Sequence, residues 1–141
     1  MELSYPIGRF VAPESITPAL VAQWIDQIAA APAGLREAVR GLDEAQLDTP
    51  YRPGGWTVRQ VIHHVPDSHM NSYVRFKLAV TEAEPTIKPY DEAKWAELPD
   101  ACTGPIEPSL QLLESLHVRW VRLLRSLSGA DWSRQFTVVL K

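Results

Sequence analysis

A single cysteine, Cys102, stands in 141 residues. No internal disulfide can therefore staple the chain, and the expectation is a reducing, cytoplasmic setting. Cys102 lies in a Pro/Gly-rich connection with no histidine close by, so it reads as a packing or surface residue rather than a nucleophile. No apolar run approaches the roughly 20 residues of a membrane span. Met1 to Phe10 shows no basic stretch followed by an apolar core, so no secretory signal is read there. Basic charge is scarce: 14 Lys and Arg against 17 Asp and Glu give a net charge of -3. Without a basic stripe, a nucleic-acid partner is not expected. There is no Gly-rich phosphate loop, no Gly-x-Ser-x-Gly elbow and no convincing carboxylate pair. His-x-x-x-His, the strongest helical metal signature, is absent as well.

What remains is an ordinary globular composition, 45% apolar and 22% charged, at a length that suits one domain. Apolar residues at helical spacing outline three long segments. The first starts at Thr17, an N-cap followed by Pro18. It carries Val21, Trp24, Ile25 and Ile28, then Leu35, Val39 and Leu42 beyond a proline, Pro32, that is expected to kink or interrupt it. Asp43 and Gln46 form a capping box for one short turn. The second segment starts at Thr57, boxed with Gln60, and runs to about Thr81 through Val58, Ile62, Val65, His69, Tyr73, Phe76 and Val80. Pro66 is expected to bend it.

Proline-rich Thr86 to Pro108 reads as an extended connection. The third segment runs from about Pro108 to Leu127, with Leu110, Leu113, Leu116, His117, Trp120, Leu123, Leu124 and Leu127 on its apolar side and Gly129 as a left-handed cap. A last turn is expected at Asp131-Trp132-Ser133, followed by Thr137 to Leu140, β-prone but without an obvious partner. The expected architecture is an all-α bundle of antiparallel helices. Its aromatic load (Trp24, Trp95, Trp120, Trp132, Tyr73, Phe76) suits a fourth helix, from this chain or a partner.

Three of the four histidines lie within seven positions, and imidazole is the commonest transition-metal ligand. On a helical wheel His63 and His64 diverge, so they cannot chelate one ion from a regular helix. His63 points away from the apolar stripe and reads as a surface residue. His69 and His117 fall on apolar stripes and read as hydrogen-bonded core histidines. His64 lies on a flank with Val61, Ser68, Ser72 and Arg75, where both a metal ligand and a plain polar residue are open readings. Asp67 could orient an imidazole or be a solvated acid. Tyr90, Asp91, Glu92, Lys94 and Trp95 could line a pocket mouth or pack over the bundle.

The motifs Leu3-Ser4-Tyr5-Pro6-Ile7-Gly8, Gly54-Gly55-Trp56-Thr57-Val58-Arg59-Gln60-Val61, His63-His64, Asp67-Ser68-His69-Met70-Asn71-Ser72-Tyr73 and Leu116-His117-x-Arg119-Trp120 resemble the YfiT-like, or bacillithiol transferase-like, branch of the DinB superfamily. That resemblance implies an up-down four-helix bundle holding nickel or zinc, one ion per subunit, on three histidines. His64, second of the His-His pair, matches one ligand; the other two come from a His-x-x-x-His on a fourth helix. It further implies a metal-dependent hydrolase or low-molecular-weight-thiol S-transferase acting on a small molecule, usually as a homodimer. The resemblance stops after about Phe136. The expectation is one DinB-like domain over residues 1–141, truncated after about 136, with three long helices and the fourth missing. Poor metal affinity and self-association through an exposed apolar groove follow. The alternative reading is a non-catalytic helical module that has lost its metal site.

Overall fold

The computed structural model describes residues 2–139. Three long helices dominate it: α1 (Pro18–Ala38), α3 (Val58–Thr81) and α6 (Glu107–Ser126). Short elements fill the connections: α2 (Glu44–Leu47), β1 (Thr86–Ile87), α4 (Glu92–Ala96), α5 (Pro99–Cys102), α7 (Gly129–Trp132) and β2 (Thr137–Val138). Thr17 caps α1 by accepting from Leu20 N, and the two expected capping boxes open α2 and α3. Pro32 does not interrupt α1. That helix and α3 run unbroken through Pro32 and Pro66, both buried, so packing offsets the hydrogen bond each proline removes.

The all-α bundle is as expected, but its helices are not all antiparallel to their neighbours. Arg36 of α1 pairs with Glu107 and Glu114 near the start of α6, and Asp26 pairs with Arg125 near its end; these two helices are antiparallel. In contrast, His63 meets Ser109, His69 meets His117 and Phe76 meets Trp120, so α3 and α6 run parallel. Parallel neighbours need a long crossover, and residues 82–106 supply it. The crossover is not simply extended, because α4 and α5 fold within it.

Helix α6 is central. Ile25 of α1 packs with its Trp120, Val121 and Leu124, and Tyr73 and Phe76 of α3 close the same cluster. A second cluster joins Val39, Leu47, Ile62 and Leu110 at the other end.

Thr137–Val138 does have a partner: it pairs in parallel with Thr86–Ile87, with Thr137 N–H donating to the Pro85 carbonyl. Two residues at remote positions give no readable sequence signal, which is why this clasp was not foreseen. Gly129 opens α7 under a Ser128 cap rather than ending α6 in the left-handed region. Met1, Leu140 and Lys141 lie outside the described residues.

Candidate active site

Helix α3 presents its histidines in three directions, each fixed by a different neighbour. The turn before it sets the first. Tyr51 N–H donates to Trp56 O, and Gly54 takes a φ of +69°, which favours glycine. At Gly55 a Cβ would lie 2.7 Å from the Arg52 side chain. This tight turn delivers the Trp56 ring edge-on to His64, with centroids 4.9 Å apart. His64 is half-buried, and among the described residues its ring nitrogens make no protein hydrogen bond.

His63 is not a surface residue. It is 6% exposed, with Nε2 3.0 Å from the Gly104 carbonyl and Nδ1 2.6 Å from Ser109 Oγ. A carbonyl only accepts, so in the neutral ring Nε2 carries the proton and Nδ1 accepts from the serine. The helical wheel misplaced His63 because the crossover returns over the polar side of α3 and buries it. The same carbonyl accepts from Arg59, itself 2% exposed and paired to Asp48 and Glu44. The sequence clue to this junction was Gly104, flanked by Thr103 and Pro105. A Cβ there would lie 2.3 Å from the Asp100 carbonyl oxygen, so Gly104→Ala is expected to cost about 1–3 kcal/mol in urea unfolding. An unchanged midpoint would show that the junction can relax.

His69 and His117 are hydrogen-bonded on the apolar stripes as the spacing predicts, His117 buried and His69 half-buried, and they bond each other. His117 Nδ1–H donates to Ile28 O at 2.6 Å, leaving its Nε2 to accept from His69 Nδ1–H at 2.7 Å. That leaves His69 Nε2 unengaged at an open cleft of about 510 Å3, bounded by Phe10, Trp24 and Ile28. Burial, with His117 and His64 adding to it, lowers the His69 pKa to about 4. Trp120 stands edge-on to both rings, and its buried indole N–H has no acceptor among the described residues.

Beside His64, burial raises the Asp67 carboxyl, with Asp100 adding to the rise and His64 and His63 opposing it. Asp67 is thus partly desolvated rather than a fully solvated acid. Burial also raises the Tyr90 phenol, with neighbouring Ser68 opposing the rise. Tyr90 packs on Trp95 at 4.6 Å between centroids, joining the crossover to the His64 flank. Cys102 is a packing residue, its thiol 3.3 Å from Ala96 O.

A three-donor metal set does not assemble here. Among the described residues no group of three or more His, Cys, Asp or Glu could hold an ion. His63 and His117 have both ring nitrogens engaged, and His69 keeps only Nε2 free. Only His64 remains with both ring nitrogens available, and one imidazole does not make a metal centre.

Residues 27–138 match the DinB superfamily. Proteins from Bacillus mycoides (strain KBAB4) and Bacillus cereus (strain AH820), each named "Putative metal-dependent hydrolase", are 58% identical over 135 residues. Those alignments cover 96% of this chain and 78% of each relative. The solved structure of YfiT from Bacillus subtilis, described as "a probable metal-dependent hydrolase with an unusual four-helix bundle topology", superposes with a TM-score of 0.93 at 52% identity. It covers 96% of this chain and 78% of YfiT. With the superfamily pattern spanning most of the chain and the whole helical framework shared with YfiT, this protein belongs to the DinB superfamily.

Proposed function

We propose that this chain serves a metal-dependent hydrolase of the YfiT type acting on a small-molecule substrate, with low-molecular-weight-thiol S-transfer as the alternative chemistry, and that His64 is a metal ligand. The observation that carries the reading is the state of His64: a half-buried imidazole on a long helix, braced by Trp56 and free of protein hydrogen bonds. The names of the relatives support the metal and the hydrolase class. Nickel and zinc are the proposed ions, one per subunit of a cytoplasmic homodimer. Among the described residues no helix is long and apolar enough to cross a membrane. Because no group of three donors assembles among the described residues, the remaining ligands are proposed to come from the partner subunit of the dimer.

The test is metal content by mass spectrometry on wild type and His64→Ala, with solution mass measured alongside. Stoichiometric nickel or zinc in wild type, lost in the variant, is the expected result for a site completed in a dimer. Metal retained by the variant overturns the assignment of His64.

A second reading, a metal-free helical module that self-associates, is favoured by the lack of a three-donor cluster. The open cleft beside His69 and the unmet Trp120 N–H suit a covering helix. A metal-free dimer in both proteins would select this reading.

A further inference from the structure

A second cleft, of about 360 Å3, lies between the C-terminal half of α3, α7 and the segment after it. Its walls are apolar and aromatic: Phe76, Val80, Leu127, Trp132 and Phe136, with Phe76 and Trp132 edge-to-face at 6.1 Å. Three charged groups also line it, and two are spoken for. Arg134 donates to the carbonyls of Ala79 and Glu82, capping the end of α3. Asp131 accepts from Ser128 N–H and Oγ, which hold its carboxyl below the usual range, with Arg134 contributing. Arg75 is the exception. It is half-buried, yet it makes no ion pair, hydrogen bond or ring contact among the described residues.

A guanidinium drawn into an apolar cleft without a partner is uncommon, because burial of charge is tolerated when the charge is paired. With Arg134 also present, the cleft carries two cations against one carboxylate. A guanidinium fork matches a carboxylate in bidentate fashion, and the aromatic walls suit an apolar body attached to it. Position adds a second constraint. Arg75 follows His64 by three helical turns on one face of α3, roughly 16 Å away, with Ser68 and Ser72 between them. Arg75 also lies within electrostatic reach of Tyr90, which neighbours Ser68. One face of α3 therefore connects the His64 neighbourhood to this cleft.

We propose that the Arg75 cleft is a carboxylate-binding subsite, taking the acid terminus of an elongated small-molecule substrate with an apolar body. The reading of the site as an enzyme's is needed only to call the ligand a substrate; binding is tested without metal or turnover.

The experiment is calorimetric titration of the purified chain with 4-phenylbutyrate and with its uncharged amide. Wild type is expected to bind the acid at least tenfold more tightly than the amide. Arg75→Gln should abolish that preference while leaving the melting temperature and near-UV circular dichroism unchanged, since Arg75 anchors nothing. Arg75→Lys keeps the charge but not the fork, so its preference should fall at least threefold. His64→Ala should retain the tenfold preference, which separates this subsite from the metal-ligand assignment. Equal binding of acid and amide by wild type, or a full preference surviving in Arg75→Gln or Arg75→Lys, overturns the proposal.

Discussion

Arg59→Met is expected to destabilise the fold by about 3 kcal/mol, the lower end of the range for breaking a buried ion pair. The guanidinium is 2% exposed and joins three segments: Asp48 at 2.7 Å, Glu44 beyond it, and the Gly104 carbonyl at 2.9 Å. Its partners decide where in the range the loss falls. The Glu44 and Asp48 side chains are 83% and 57% exposed, so water would solvate both after the substitution. The lost hydrogen bonds and the released crossover remain as the cost. Glu44→Gln, by contrast, should cost under about 1 kcal/mol, because an exposed carboxylate contributes little. Urea unfolding of both variants checks the contrast, and comparable losses would show that the exposed acid, not the buried fork, anchors the junction.

The His69–His117 pair makes stability depend on pH. In the fold the His69 pKa falls from 6.5 to about 4, and burial lowers His117 as well, against its bond to Ile28. Between those values the unfolded chain binds more protons than the native one, so stability rises with pH. The contribution is complete above about pH 6.5 and is lost as pH falls towards 4. It should amount to about 2 kcal/mol after discounting for the solvent that reaches His69. Asp67 opposes it, since a raised carboxyl favours the fold as pH falls through its own pKa. The clean measurement is therefore a difference. His117→Phe should cost about 2–4 kcal/mol at pH 7.5 by orphaning the Ile28 carbonyl and the His69 donor, and less at pH 4.5. A penalty independent of pH would mean that the pair does not titrate in this window.

The parts of the fold that were legible share one property: their signals are local. Capping boxes at Asp43–Gln46 and Thr57–Gln60, and the stripe through Ile62, His69 and Phe76, need only neighbours within a turn or two. His69 and His117 were placed correctly because both sit on such stripes. His63 was not, since what buries it is the crossover, arriving from Gly104 and Ser109 more than forty residues later (41 and 46 from His63). A wheel describes one helix; it does not say which segments will return to cover its polar side. The same reasoning separates the two candidate sites. His64 is singled out by the family motif alone, whereas the Arg75 cleft depends on α7 and Phe136 coming back against α3. That return is held by a clasp of two residue pairs, too short to announce itself.

The way α6 sits between α1 and α3 bears on how the chain reaches its fold. Helical bundles usually fold fast because neighbouring helices are also consecutive. Here the bond from His117 to Ile28 spans 89 residues and the Arg125–Asp26 pair spans 99. The first helix has no lasting partner until nearly the whole described chain is present. During synthesis α1 and α3 would leave the ribosome with their apolar faces uncovered, waiting for α6. Contact order, not helix content, should therefore set the folding rate, making this bundle slow for its class and dependent on protection while it is being made.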